Sequence, residues 1–352
     1  MGALVAIEAR GQAFVDALQR AWDAGDAVLP VDPRLPSAAA QRLSAALRAG
    51  DPVADDVALV VPTSGTTGDP KGVVLTHAQV AASAEATSAV LGIDPARHRW
   101  LACLPMAHVG GLSVVTRALH IGTGLTVHDH FDAAAVDRSA DDGCTHVSLV
   151  ATALVRIDPA RWERIVLGGA APPPDRPANS VATYGMTETG SGVVYDGIPL
   201  PGVEVRAVDG ELQIRGPMVA SDYRDGTPVV DDDGWLHTAD LGSVDDGVVR
   251  VDGRRDDMIV TGGENVHPDP VEKRLREHPA ITDAAVVGRA DAEWGQRVVA
   301  VVEVADGSAT PTLDELRAWV SDTLPRWCAP KEIEARPLPR TAIGKVRRSE
   351  LR

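Results

Sequence analysis

Between residues 57 and about 190, short apolar runs take turns with stretches of helical character, and this alternation constrains the fold more than any other feature. The runs fall at 57–61, 100–104, 146–150 and 164–167, with helices expected near 77–91, 110–120 and 151–157. Runs this short suit strands covered on both faces better than they suit helices. The pattern predicts a large α/β domain whose sheets are covered by helices.

After Gly197 the texture changes to apolar–polar alternation at 203–208, 211–215, 241–244 and 248–251, with Asp209-Gly210 and Asp246-Gly247 supplying hairpin turns. An antiparallel β region is expected there, closing a first domain of residues 1–255. Residues 256–352 read as a smaller α+β domain, with a helix at 268–278, strands at 282–287 and 297–304, and a helix at 313–324. In the last helix Leu313, Leu316, Val320 and Leu324 share a face, and Thr312 with Glu315 forms a capping box. Residues 1–50 read as two helical stretches around the Pro-rich linker Leu29-Pro-Val-Asp-Pro-Arg-Leu-Pro36.

The chain of 352 residues carries 34 basic and 50 acidic side chains, a net charge of −16. Such a surface repels phosphate backbones and anionic lipid, so neither nucleic acid nor a membrane surface is expected as a partner. No run of 18 apolar residues is present, so no membrane insertion is expected. Glu8 stands where a signal peptide would keep its apolar run. Cys103, Cys144 and Cys328 are too few and too dispersed for a disulfide framework or a zinc site, which favours a reducing, cytoplasmic setting. Only four of the basic residues are lysines, namely Lys71, Lys273, Lys331 and Lys345. A lysine that persists against this bias draws attention to places where a compact ammonium suits better than a planar fork.

The densest chemical signal is Thr63-Ser-Gly-Thr-Thr-Gly-Asp-Pro-Lys-Gly72, just after the run 57–61. Glycines such as Gly65 and Gly68 let backbone N–H groups converge on an anion. The hydroxyls of Thr63, Ser64, Thr66 and Thr67 can donate further bonds, and Lys71 adds charge. The segment is not a Walker A loop, since Pro70 stands where that motif needs Gly and Gly72 where it needs Ser or Thr. The plain alternative is a flexible surface loop.

This segment resembles the phosphate loop of the adenylate-forming enzymes, a family of acyl- and aryl-CoA ligases, luciferases and peptide-synthetase adenylation domains. The resemblance recurs in order along the chain. Leu104-Pro-Met-Ala-His-Val-Gly-Gly-Leu112 is similar to the family's acyl-pocket segment, and Gly168-Gly-Ala-Ala171 to its adenine-lining turn. Tyr184-Gly-Met-Thr-Glu188 is similar to its best-known nucleotide motif, and Gly234-Trp-Leu-His-Thr-Ala-Asp-Leu-Gly242 to its ribose-binding stretch. Gly253-Arg-Arg-Asp-Asp-Met-Ile-Val-Thr-Gly-Gly-Glu-Asn-Val266 is similar to the interdomain hinge and the loop after it. Pro339-Arg-Thr-Ala-Ile-Gly-Lys345 is similar to the segment carrying the catalytic lysine.

The resemblance implies ATP, Mg²⁺ and CoA as the small molecules of a two-step ligation, and a C-terminal domain that rotates between steps. In the first step a carboxylate attacks the α-phosphorus of ATP and pyrophosphate leaves. Two anions must meet, so cations and oriented donors must offset their repulsion. Lys345 is the candidate for bridging carboxylate and α-phosphate, or else a solvated tail lysine beside Arg347 and Arg348. Lys71 is expected to neutralise the β- and γ-phosphates. Glu188 is the one charge in the stretch 185–192; an acid beside triphosphate makes sense as a Mg²⁺ ligand. By the resemblance Thr187 donates to the α-phosphate, and Tyr184 packs on adenine, with Gly185 and Met186 in the same motif. Gly169, Ala170 and Ala171 line the nucleotide site, and Gly169 also borders the acyl group. Asp240 accepts the ribose hydroxyls, and Arg254 donates to ribose or phosphate. Asp256 matches the hinge. Gly262 and Gly263 let a pantetheine arm pass close to backbone. Trp294 either packs on CoA or belongs to the core.

His108 precedes Gly110-Gly111 and is expected to face the acyl pocket, unless it is a core histidine. Arg117 is the one charge on the apolar stretch 111–119; it either receives a second carboxylate of the substrate or snorkels outward. Ser191 lies where acyl contacts are plausible. The His108–Arg117 spacing and Thr187-Glu-Thr-Gly-Ser191 resemble the 2-succinylbenzoate–CoA ligases of menaquinone biosynthesis, whose acid is an aryl dicarboxylate. The phosphate segment starts at residue 63, earlier than in most of the family, which implies a shortened first subdomain. Other aryl- or acyl-CoA ligases, a carrier-loading adenylation enzyme and a non-catalytic nucleotide-binding paralogue stay open as alternatives, as does a homodimeric assembly.

Overall fold

The computed structural model describes residues 2–64, 70–169, 172, 173, 175–340 and 346–352, and of Ser64, Pro70 and Asp256 the backbone alone. The chain divides into two compact units. One comprises Met1–Val205, Gln213–His237 and Asp246–Val249; the other comprises Arg206–Leu212, Thr238–Asp245 and Arg250–Arg352.

The first unit opens with β1 (Leu4–Ile7), α1 (Gly11–Asp23), β2 (Ala27–Pro30), α2 (Ser37–Ala46), β3 (Val57–Ser64) and β4 (Pro70–Thr76). Strands β1, β2 and β3 run parallel, and β4 returns antiparallel to β3. Residues 1–50 therefore hold two strands besides the two helices, which corrects the reading of helices around a linker. Ala27, Val28 and Leu29 are fully buried because β2 lies between β1 and β3. Strands of four residues carry too short a pattern to stand out in sequence.

A larger sheet follows, built from β5 (Arg99–Ala102), β6 (Gly124–Val127), β7 (His146–Leu149), β8 (Arg164–Leu167), β9 (Ser180–Met186), β10 (Ser191–Tyr195) and β11 (Ile198–Pro199). Its spatial order is β11-β10-β9-β8-β7-β5-β6. Strands β5 to β9 are parallel, with β10 and β11 added antiparallel. The connections carry α3 (His77–Leu91), α4 (Val109–Ile121), α5 (Ala133–Asp141) and α6 (Ala151–Leu154). Thr76 and Gln79 close a capping box at the start of α3, and Gly92 ends it in the left-handed conformation. The apolar runs seen in sequence thus become the central strands, as expected of a sheet covered on both faces.

Next come β12 (Glu204–Val208), β13 (Glu211–Arg215), β14 (Leu236–Asp245) and β15 (Val248–Arg254), paired in that order. Asp209 with Gly210 and Asp246 with Gly247 all take positive φ, as two-residue hairpin turns require.

The C-terminal part holds β16 (Ile259–Thr261), β17 (Glu264–Val266), α7 (Pro268–Arg276), β18 (Ile281–Asp291), β19 (Gly295–Val304), α8 (Leu313–Ser321) and β20 (Glu332–Ala335). The β18–β19 hairpin is buried on both faces. Ala284, Val286, Val298, Ala300 and Val302 face a core with Leu275, Leu316 and Val320. Ala285, Val287, Val299 and Val301 face a second core with Leu338 and Leu351. The period of two in a strand divides one continuous apolar run between both cores. Among the described residues no helix is long and apolar enough to cross a membrane.

Candidate active site

Thr63 stands opposite Lys71 and Ser64 opposite Pro70 in the β3–β4 register. Gly65, Thr66, Thr67 and Gly68 lie outside the described residues. Thr63 Oγ1 donates to the Lys71 carbonyl at 3.4 Å. Gly72 has no room for a side chain, since a Cβ there would sit 2.6 Å from Val60 Cγ1. Beyond β4 the strip 222–224 continues the pairing: Val74 N donates to Asp222 O, and Arg224 N to Gly72 O. Val73 and Tyr223 form an antiparallel bridge. This pairing places the Tyr223 ring under Lys71, with Nζ 4.9 Å from the ring centroid.

Glu188 sits in a 3₁₀ turn, Thr187–Thr189, between β9 and β10. Thr189 Oγ1 builds that turn by accepting from Met186 N at 2.9 Å and donating to the Ser191 carbonyl at 2.7 Å. Gly190 takes φ 67°, and a Cβ on Gly185 would lie 2.3 Å from Ser191 O, so only glycine lets β9 and β10 approach. Glu188 Oε1 accepts a 3.0 Å hydrogen bond from the Tyr223 hydroxyl. Burial, with the Glu188 charge added, pushes the Tyr223 phenol well up, so it stays protonated as the donor. Tyr184 lies on β9 and is partly buried.

Arg117 is the most telling side chain of this unit. Helix α4 is buried on nearly every side, through Gly111, Leu112, Val114, Val115, Thr116, Arg117 and Ala118. The snorkelling alternative is thereby excluded, and Arg117 is 2% exposed. Its Nη2 donates to Ser191 Oγ at 3.3 Å, and its guanidinium lies 4.9 Å over the Trp100 ring. Nε and Nη1 have no hydrogen-bond partner among the described residues. Burial pulls its pKa below the ordinary value, partly opposed by Tyr195. A narrow cavity of about 10 Å³ is lined by Arg117 together with Ser113, Thr116, Leu112, Ser83 and Gly190.

His108 begins α4 as its N-cap residue. Its Nε2 is 4.0 Å from Asp32, and it is absent from the lining of the Arg117 cavity. Burial holds His108 below the usual histidine range, with Asp32 raising and Arg34 lowering it. Gly169 takes φ 83°, while Ala170 and Ala171 lie outside the described residues.

In the other unit Asp240 is 7% exposed and its Oδ1 lies 3.5 Å from Arg254 Nε. Thr238 fixes this part of β14 by donating to Leu212 O at 2.7 Å and accepting from Asp240 N at 3.0 Å. Gly262 and Gly263 form the β16–β17 turn at φ 59° and 85°. Trp294 covers that turn so closely that a Cβ on Gly262 would stand 2.6 Å from its Cε3. Trp294 is 40% exposed, which sets aside the core alternative, and Lys331 Nζ stacks 3.0 Å from its ring centroid. The Asp256 side chain and Lys345 lie outside the described residues. The neighbouring Asp257 pairs with Arg348 and Arg352.

Residues 9–224 match the AMP-binding enzyme model, and residues 270–345 match the AMP-binding enzyme C-terminal domain. The chain belongs to the AMP-binding enzyme family. A probable 2-succinylbenzoate–CoA ligase of Mycobacterium tuberculosis is 42% identical over 96% of this chain and 94% of that protein. A 2-succinylbenzoate–CoA ligase of Bacillus cereus is 34% identical over 85% of this chain and 70% of its own. The solved structure of the o-succinylbenzoate CoA synthetase MenE from Bacillus subtilis, in complex with the acyl-adenylate intermediate OSB-AMP, superposes with a TM-score of 0.88. It is 26% identical and the match covers 100% of this chain and 88% of that one.

Within this AMP-binding enzyme, sequence reasoning singled out Lys71, Glu188, Arg117 and Ser191, and the fold joins Arg117 to Ser191 directly. It missed Tyr223, the side chain that touches both Lys71 and Glu188, and Thr189, which builds the Glu188 turn. Thr189 lies inside the Thr187–Ser191 motif. Tyr223 carried no local signal, because its partners come from distant parts of the chain.

Proposed function

We propose that this AMP-binding enzyme is an ATP-dependent acid–CoA ligase that converts 2-succinylbenzoate to 2-succinylbenzoyl-CoA in menaquinone biosynthesis, in the cytoplasm. The observation that carries the substrate is Arg117. A buried guanidinium with two unsatisfied nitrogens costs a folded protein several kcal/mol unless a partner meets it. A carboxylate is the anion whose geometry matches that fork. A dicarboxylate offers one carboxylate to Arg117 and keeps the other for activation.

In the first step a substrate carboxylate oxygen forms a bond to the α-phosphorus of ATP as the bond to pyrophosphate breaks. Lys71 offsets charge on the phosphates, and Lys345 is assigned to the approaching carboxylate and α-phosphate. Glu188 would hold Mg²⁺: a single carboxylate completed by phosphate oxygens and water is a donor set this ion commonly takes. Bound there, the ion would neutralise charge on the phosphates. In the second step the CoA thiolate forms a bond to the acyl carbon and AMP leaves with the mixed-anhydride oxygen. Residues 256–352 are assigned to a mobile domain turning at Asp256. Its Gly262, Gly263 and the exposed face of Trp294 suit an incoming pantetheine arm; Asp240 and Arg254 suit the ribose.

The test is pyrophosphate exchange into ATP with a panel of carboxylic acids, followed by CoA or a holo-carrier protein as acceptor. Exchange that depends on 2-succinylbenzoate, with thioester formed on free CoA, is expected. ATP binding without exchange for any acid would overturn the enzymatic reading. Preference for a monocarboxylate, or for the carrier, would move the chain to another branch of the family.

A further inference from the structure

Tyr223 touches both Lys71, the cation assigned to the phosphates, and Glu188, the carboxylate assigned to the metal. Its hydroxyl donates to Glu188 Oε1 at 3.0 Å, and its ring carries the Lys71 ammonium at 4.9 Å. Among the described residues no other side chain hydrogen-bonds the Glu188 carboxylate.

The backbone around Tyr223 leaves it little freedom. Tyr223 N donates to Thr227 O at 2.8 Å, and Gly226 N returns a bond to Tyr223 O at 2.9 Å, closing a tight turn. Thr227 N is held by Asp225 Oδ1 at 2.9 Å. The bridge to Val73 ties the same residue to β4, two positions from Lys71. Upstream, Ala220 N donates to the Glu188 carbonyl at 2.8 Å. One short segment is thus fastened to the backbone of the Glu188 turn and to the strand that bears Lys71.

We propose that Tyr223 is a positioning residue: its hydroxyl aims the Glu188 carboxylate at the metal while its ring seats Lys71. The two sites would then be held at a spacing set by one rigid side chain. A carboxylate with one oxygen already engaged loses rotamer freedom and presents the other oxygen in a defined direction. Partners that orient a ligand in this way commonly change metal affinity or activity by 10- to 100-fold when removed. The ring contributes separately, since an ammonium over a phenol face is held whether or not the hydroxyl is present. This inference rests on the assignment of Glu188 and Lys71 under the proposed function.

The experiment compares Tyr223→Phe, Tyr223→Leu, Glu188→Gln and Tyr223→Phe/Glu188→Gln, each checked by thermal melting. Calorimetry measures ATP affinity with excess Mg²⁺ and with chelator, and pyrophosphate exchange gives the half-saturating Mg²⁺ at saturating ATP. Tyr223→Phe is expected to raise half-saturating Mg²⁺ by about 10-fold, with metal-free ATP affinity within a factor of about two. Tyr223→Leu is expected to do this and also to weaken metal-free ATP binding by about threefold, the scale of one exposed cation–π contact. The double variant is expected to match Glu188→Gln alone, because the hydroxyl acts through that carboxylate.

Unchanged Mg²⁺ dependence in Tyr223→Phe, with a shift in Glu188→Gln, overturns the proposal and leaves the function standing. Equal weakening of ATP with and without Mg²⁺ in Tyr223→Phe overturns it too. If Glu188→Gln itself leaves Mg²⁺ dependence unchanged, the metal assignment of Glu188 fails, and this proposal with it.

Discussion

Arg117, buried in the first unit, and Arg348, partly buried in the second, hold the same cation by opposite means. Arg348 meets three carboxylates: Glu272 at 2.9 Å, Asp269 at 2.9 Å and Asp257 at 3.4 Å. Burial works against its charge, but Glu272, Asp269 and Asp257 together raise its pKa above the ordinary value. Arg117 meets one hydroxyl and an aromatic face, and burial lowers its pKa. A completed ion cluster is structural. A buried cation with donors to spare suits the role proposed for Arg117, that of meeting an anion that arrives later.

That contrast can be broken by giving both sites the same substitution. Arg348→Leu is expected to destabilise the protein by about 1–3 kcal/mol, because Glu272, with a side chain 5% exposed, then keeps Arg276 as its cation but loses the bonds from Arg348. Arg117→Leu removes a charge that no carboxylate among the described residues meets, so the melting temperature should hold or rise. A larger loss of Tm for Arg117→Leu than for Arg348→Leu would reverse the two roles.

Acid sharpens the comparison from beneath Arg117. His146 packs against the Trp100 ring at 5.1 Å, and Trp100 carries Arg117. Burial first, then the positive charges of His98, Arg164 and Arg117, pull His146 down to about 4, with Glu163 opposing. An unfolded chain protonates this histidine near pH 6.5, so it binds more protons than the folded chain between that pH and about 4. Stability should therefore fall as pH drops through this window, by on the order of 2 kcal/mol for this residue. Urea unfolding at stepped pH, compared with His146→Phe, measures it; an identical pH slope in both would remove His146 from the explanation.

The smallest effect concerns Ser191. Ser191→Ala removes the hydroxyl that orients Arg117 and should raise KM for the acid by about threefold to tenfold, the scale of one hydrogen bond. KM for ATP should stay within a factor of about two. Equal changes in both would mean that the variant disturbs the neighbouring Glu188 turn rather than the acid site.

The parts of the fold legible in sequence were those whose signal is local. The runs at 57–61 and 164–167 became strands, and Thr312 with Glu315 capped α8 as read. β1 and β2 were not legible, because four apolar residues beside a helix or a proline give no period. Their strand character comes from pairing that ties Val28 to Leu59, far along the chain. The site divides in the same way. An arginine inside an apolar helical stretch flagged itself as unusual, but whether it faced inward depended on how the rest of α4 was covered. Tyr223 had no such flag; only the pairing of residues 222–224 along β4 reveals what it touches.

The most direct test of the Arg117 assignment is discrimination between acids. Wild-type and Arg117→Leu enzymes are assayed by pyrophosphate exchange with 2-succinylbenzoate and with an analogue lacking one carboxylate. In the wild type the dicarboxylate should be favoured, and the ratio of kcat/KM values should fall by about 100-fold in Arg117→Leu, as expected for loss of a buried charge-assisted contact. The fall should come from the dicarboxylate alone. A ratio unchanged by the substitution would contradict the claim that Arg117 receives the substrate's second carboxylate.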